Sequence, residues 1–444
     1  MVLFYLLISA MPLVRDPLWE HFLSDLTAIK YLGLACLLYA AWYCLVRRRL
    51  PQLYTSAPAL AMTGLCVWAA GSWFALGAPI TWDKSPLLSY TSFLLLLVVT
   101  ASVVDNWRRF EHVLWAIVLS VSIASLYVVR EWQEYHAVYA QFRPGWVTGD
   151  PNYFTASALV GLPLALAFCS RSLPAWKRLL AAGCALLTLM ATAFAASRGG
   201  MIGLVVMAAW YAAKKKHLGA FVLLVVLAAP PLLLWSRSPL NRLIDPNASD
   251  IKSSDTRLAL WQAGVSMVTQ HPLHGIGLGE FKVEVERYAA GHKDLDHIAH
   301  NTYLALAAEM GLPALLLYLT MLAGAWFALA RLRSAATTPA PFPPRPPLAF
   351  LEDTAREKPA LTAPASAALP AWLAEAALGM QAGILGFSVS AIFLSAQYTK
   401  LFWLLIAVAA TAANLLAQPA GTAARVTQAQ FATRSPEFAP DAAR

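Results

Sequence analysis

Residues 86–104 read PLLSYTSFLLLLVVTASVV, an uncharged run. As a helix, nineteen residues at 1.5 Å each reach about 28 Å, close to the thickness of a bilayer's hydrocarbon core. The charges follow at once, with Arg108 and Arg109 in the next short loop. This alternation of apolar run and basic tuft recurs along the chain. The runs are 1–14, 26–46, 57–79, 86–104, 111–129, 153–169, 179–196, 200–213, 218–235, 302–330, 372–396 and 400–417. The expected fold is therefore all-α: a polytopic transmembrane helix bundle of about 12 spans, with one long, partly helical periplasmic loop. The runs 1–14 and 200–213 are the shortest, and the glycines at 199, 200 and 203 open the latter to close helix contacts.

Composition agrees. Apolar residues make up 59% of the 444 and charged residues 13%, with mean hydropathy +0.57. A soluble domain carries about 25% charged residues, so this chain cannot cover a globular surface with polar groups. The net charge of +9 sits in tufts, Arg47–Arg49, Arg108–Arg109, Lys177–Arg178 and Lys214–Lys216. That excludes a basic face for nucleic acid. Cys36, Cys44, Cys66, Cys169 and Cys184 all lie in apolar runs, with neither disulfide nor zinc spacing.

Charge also sets orientation. With the N-terminus cytoplasmic, the inside loops 47–56, 105–110, 170–178 and 214–217 hold eleven Lys and Arg, and the short outside loops hold five. Both termini are then cytoplasmic by the positive-inside rule. The division that follows is spans 1–9 over 1–235, a periplasmic catalytic loop over 236–301, span 10 over 302–330, a Pro-rich cytoplasmic linker over 331–370, spans 11–12 over 371–417, and a disordered cytoplasmic tail over 418–444. The linker holds nine of the 28 prolines, a composition for extended polyproline structure.

The loop 236–301 carries five of the nine histidines. Ser253, Ser254 or Asp255 is placed to cap a helix starting near Thr256. Leu258, Trp261, Val265 and Val268 recur at helical spacing, as on a helix lying on the bilayer surface. His271-Pro272 ends it. Gly275-Ile-Gly-Leu-Gly279 lacks the strand that a nucleotide loop requires and reads as a flexible turn. A second helical stretch covers 280–290.

Several polar residues stand where chemistry is expected. Arg198, in Ser197-Arg198-Gly199-Gly200, sits at a membrane boundary, either as a snorkelling anchor or as an anion binder. Arg257 falls in the first turn of the expected loop helix, where a phosphate is also favoured. His300-Asn301 stands at the entry to a span, and imidazole titrates near neutrality as a general base does. Glu309, inside an apolar helix, orients a cation or base, or pairs with an arginine. His297 and His300 with Asp294 and Asp296 match no known metal cage, so no metal is assigned.

Together these motifs resemble the O-antigen ligase / Wzy polymerase superfamily. The resemblance rests on Asp150-Pro-Asn-Tyr-Phe154, Ser197-Arg-Gly199, Arg257 with Trp261, His271-Pro272 with the glycine run, His300-Asn-x-Tyr-Leu304 and Glu309-x-Gly311. It covers about 150–315 closely. Pro313-Ala314 departs from the family pattern and should bend its helix; the Pro-rich insert also departs. The resemblance implies transfer of a glycan from undecaprenyl diphosphate to an acceptor hydroxyl, lipid A–core or similar, in the bacterial inner membrane. It implies no cofactor and inversion at the anomeric carbon. His300 would be the catalytic base; Arg198, Arg257, Ser197, Asn301 and Glu309 would bind diphosphate or substrate. A Wzy-type polymerase or a protein O-oligosaccharyltransferase is the alternative within this class. A lipid-linked glycan transporter is the remote one, and the half-to-half repeat it calls for is not seen.

Overall fold

The computed structural model describes residues 1–13, 28–47, 56–76, 85–138, 142–145, 148–219, 222–223, 226–227, 248–289, 297–338 and 369–418. The helices among them are α1 (Val2–Ala10), α2 (Ala28–Arg47), α3 (Ala57–Ala75), α4 (Pro86–Val103), α5 (Trp107–Tyr135), α6 (Pro151–Phe168), α7 (Ala175–Ala195), α8 (Arg198–Lys214), α9 (Ala248–Gln270), α10 (Phe281–Tyr288), α11 (Thr302–Thr337), α12 (Trp372–Ser390) and α13 (Lys400–Ala417). No strand occurs among the described residues, so the chain is an all-helical membrane protein.

Nine of these helices, α2 to α7 and α11 to α13, are long and apolar enough to cross a bilayer. Each matches one of the twelve expected runs. The other three runs fare differently. Residues 1–14 give only α1, nine residues long, or about 14 Å. Its buried Phe4, Leu7 and Ile8 face the bundle, and the Ile8 carbonyl accepts from Ser120 Oγ (2.7 Å) halfway along α5. α1 therefore reaches only partway through. Run 200–213 forms α8, 17 residues. Most of 218–235 lies outside the described residues, as do 236–247, the greater part of the Pro-rich linker and most of the tail.

α13 is the axis of the bundle: Leu401 to Ala412 are all buried. α12 packs on α6, α8 and α11. α12 and α8 approach closely at glycines: a Cβ on Gly203 would lie 2.6 Å from the Gly386 carbonyl oxygen. Small residues of this kind let apolar helices pack where no hydrophobic drive separates helix from lipid. The periphery has the opposite character. On α2, Tyr31, Leu34, Leu38, Trp42 and Leu45 form an exposed apolar stripe; in water such a patch is a liability, and in a bilayer it is a lipid face.

The basic tufts gather at one end. Lys177 pairs with Glu111 (2.6 Å), Lys215 with Glu375, and Arg109 with both Asp105 and Tyr43. The opposite end carries α9, α10 and the N-termini of α6, α8 and α11.

α11 is broken at Gly311 (φ +81°), two residues before Pro313, in line with the bend expected from the proline. The break frees backbone groups that the loop then uses. Ile276 N–H donates to Ala308 O (2.9 Å), Gly277 N–H to Glu309 O (2.8 Å), and Leu312 N–H to Pro272 O (2.8 Å). Trp68 Nε1 of α3 takes Met310 O (2.8 Å). The glycine run is therefore a wedge, not a flexible turn. Gly275 and Gly279 have positive φ, and a Cβ at Gly279 would press on Pro86 at 2.7 Å.

α9 starts at Ala248 rather than near Thr256. Ser253, Ser254 and Asp255 lie inside it, and Arg257 is in its third turn, beyond the reach of the N-terminal dipole. Capping preference is a weak signal against the gain from a longer packed helix. Its buried stripe is Leu260, Ala263 and Met267, packed with Phe281 and Val285 of α10 and Ala305 and Ala308 of α11. Leu258 and Val265, expected on the apolar face, are exposed. The helix ends at Gln270, before His271-Pro272, as expected.

Candidate functional site: an arginine pocket beside His300

Three helix ends build the pocket. α7 closes with Ala196 in the left-handed region (φ +48°). Ser197 then caps α8: its Oγ accepts from Gly200 N–H (3.2 Å) and donates to Asn152 Oδ1 (2.7 Å). Asn152 lies in the first turn of α6, where its own N–H is held by Asp150 Oδ1 (2.7 Å). A side chain at Gly199 would come within 2.8 Å of Phe393 Cβ, so glycine keeps this turn close to the end of α12.

The resulting partly open pocket is lined by Arg143, Arg198 and Arg257 with Asn152, Ser197 and Phe393 among others. Among the described residues, no carboxylate lines it. Arg198 opens α8, so the N-terminal end of that helix, with Gly199 and Gly200, borders the same space. Three guanidiniums around a helix N-terminus suit an anion with several oxygens. The structure thus brings Ser197, Arg198 and Arg257 together from α8 and α9.

His300 stands beside this pocket rather than in its wall. Its segment is laced to the strip that follows α12: Thr302 N–H donates to Ala391 O (2.9 Å), and Thr302 Oγ1 to Leu394 O (2.7 Å). From the other side Trp261 Nε1 holds Ala299 O (3.0 Å). These anchors keep His300 at φ +48°, a costly conformation for a residue with a Cβ. Nδ1 of His300 is buried, with no hydrogen-bond partner among the described residues. Burial foremost, then Arg257 and His297, push its pKa down to about 4; Asp150 acts weakly against them. The imidazole is neutral at pH 7, the state a proton acceptor needs.

Two other expected site residues have structural partners. Asn301 caps α11, its Oδ1 accepting from Leu304 N–H (3.0 Å). Glu309 is buried and away from the pocket lining; its carboxylate accepts from the backbone N–H groups of Gly279 and Phe281. Among the described residues it meets neither a cation nor His300, and it fixes the glycine wedge at the start of α10. Asp294 and Asp296 lie outside the described residues.

Two pocket residues were not anticipated from the sequence. Arg143 sits in a short loop where its charge was counted only for orientation, and Asn152 was noticed only as part of a motif. The available signal was the arginine before Pro144-Gly145, close in sequence to the start of a span.

The site is thus a polar, cationic pocket at one end of a helical membrane bundle. Residues 178–319 match the model of a family described as O-Antigen ligase. The match runs from α7 into α11, includes Arg198, Arg257 and His300, and supports a relation to the O-antigen ligase/Wzy superfamily. Comparison with curated proteins gives no match. The match supports a ligase- or polymerase-type function in general, and the family implies a lipid-linked glycan and a glycan acceptor as substrates.

Proposed function

We propose that this protein transfers a glycan from undecaprenyl diphosphate to an acceptor hydroxyl, with lipid A–core as the acceptor, at the periplasmic face of the bacterial inner membrane. The observation that carries the reading is the three-arginine pocket beside a histidine held neutral. Arg198 and Arg257 hold the diphosphate. His300 takes the acceptor's proton as its oxygen attacks the anomeric carbon, and a single displacement inverts that centre. Guanidiniums supply the charge stabilisation, and the activated donor supplies the driving force, so neither metal nor nucleotide enters. Ser197 acts as the cap that aims Arg198, Asn301 as the cap that places His300, and Glu309 as the anchor of the loop that brings Arg257 in.

The basic end of the bundle, opposite the pocket, supports cytoplasmic termini. Lipopolysaccharide from a strain lacking the gene tests the ligase reading. Bare lipid A–core, with polymer accumulating on the carrier lipid, is expected. A single repeat attached to core would instead make this a polymerase, and normal lipopolysaccharide would sink both.

A further inference from the structure

A histidine base is ordinarily aimed by a third group that holds its second ring nitrogen. Among the described residues His300 lacks one, since its buried Nδ1 has no hydrogen-bond partner there. The placement of the ring therefore comes through the backbone. That backbone is itself strained, at φ +48°, and a strained residue keeps its conformation only where its surroundings impose it.

Two residues on, Thr302 supplies the means. It is fully buried. Its N–H donates to Ala391 O (2.9 Å), its hydroxyl donates to Leu394 O (2.7 Å), and the same oxygen accepts from Ala396 N–H (2.7 Å). One atom thus donates and accepts at once, which among small oxygen-bearing side chains only the hydroxyls of Ser and Thr do. The strip it grips is also a wall of the arginine pocket, which Ser390, Phe393 and Leu394 line. The strip turns on itself, with Phe393 N–H donating to Ser390 O (2.9 Å). α6 holds it as well, through Tyr153, whose hydroxyl donates to Ser395 O (3.1 Å). Moving the base relative to the pocket would break one of these bonds. The reaction needs that spacing fixed, because the anomeric carbon must lie between the leaving phosphate and the acceptor oxygen. A misplacement of 1 Å can cost about a hundredfold in rate.

We propose that Thr302 is a positioning residue, whose hydroxyl locks the base His300 to the wall of the anion pocket and so sets the distance between base and leaving group. The inference rests on the glycan-transfer reading above. Thr302 itself touches no reacting atom and moves no proton.

The test uses the purified full-length protein. Farnesyl diphosphate probes the pocket by calorimetry, and turnover is followed with a polyprenyl-diphosphate-linked oligosaccharide and lipid A–core. Thr302→Val keeps the shape and removes the hydroxyl. Its kcat per probe-binding site should fall about tenfold to a hundredfold, with KM for the donor and probe affinity little changed. Counting molecules by probe binding removes any unfolded fraction from the comparison. Thr302→Ser and Thr302→Ala differ by the hydroxyl alone, and this pair carries the test if Thr302→Val does not fold. The serine variant should work at close to the wild-type rate, and the alanine variant should fail as valine does. Equal rates for serine and alanine, or a wild-type rate for valine, would overturn the role of Thr302. So would a loss of probe affinity as large as the loss of kcat, since Thr302 would then support the pocket and not the base. Wild type that binds the probe and transfers no glycan fells the glycan-transfer reading, and this inference with it. Active wild type with matching serine and alanine variants fells this inference alone.

Discussion

Replacing Arg257 by Met should move the acid limb of the pH profile of kcat/KM upward. His300 is held at about 4 rather than 6.5, a bias of about 3 kcal/mol against imidazolium. Burial is the largest cause and Arg257 the next, with His297 behind it. Methionine fills much of the space of the arginine stem, so burial persists and only the contribution of Arg257 is released. The expected rise is about 0.5–1 pH unit. The sign follows from the role: the base works when neutral, so activity disappears as pH falls through the pKa of His300. Initial rates on purified protein at low donor concentration report the free enzyme. Wild type should stay active well below pH 6.5 and lose activity near 4. The variant's plateau will drop because a phosphate ligand is gone, but the limb is read independently of the plateau. A wild-type limb near 6.5, or a limb that stays or falls in Arg257→Met, would refute the reasoning.

Three further outcomes follow from the same geometry. In wild type the limb of kcat should lie above that of kcat/KM, because bound diphosphate offsets Arg257 beside His300; coincident limbs would separate the histidine from the anion site. Glu309→Leu should leave the N–H groups of Gly279 and Phe281 without their acceptor, at about 1–3 kcal/mol each. Limited proteolysis should then cut within 271–289, while Glu309→Gln, which keeps an acceptor oxygen, should resist. Gly311→Ala puts a Cβ at φ +81° against the Leu273 carbonyl and should lower Tm through a strain of about 1–3 kcal/mol; an unchanged Tm would argue against the break in α11.

Much of the bundle was legible because each span is a local fact: an apolar run of the right length followed by a basic tuft, as at 86–109. Arg198 and His300 were legible as polar residues stranded at membrane boundaries, and Arg257 as an arginine on an expected loop helix, though at its first turn rather than its third. What escaped was whatever depends on distant packing. The start of α9 at Ala248 could not be read from caps, since its stability comes from Leu260 and Met267 packing on α10 and α11. Glu309 looked like a ligand because an intramembrane carboxylate is rare; only the break at Gly311 brings it backbone donors. Arg143 is 55 residues before Arg198 in the chain, and no local pattern shows that a folded loop returns it to the start of α8.

The central claim is that His300 removes the acceptor proton in a direct, inverting displacement at the arginine pocket. Purified protein should be given a polyprenyl-diphosphate-linked oligosaccharide and lipid A–core, with the product's mass and anomeric configuration determined for wild type and for His300→Asn. Asparagine tolerates positive φ better than most residues, so the fold should survive the change. Wild type should give an inverted glycosidic bond, and the variant no product. Transfer by His300→Asn at the wild-type rate, or a product with retained configuration, would contradict it.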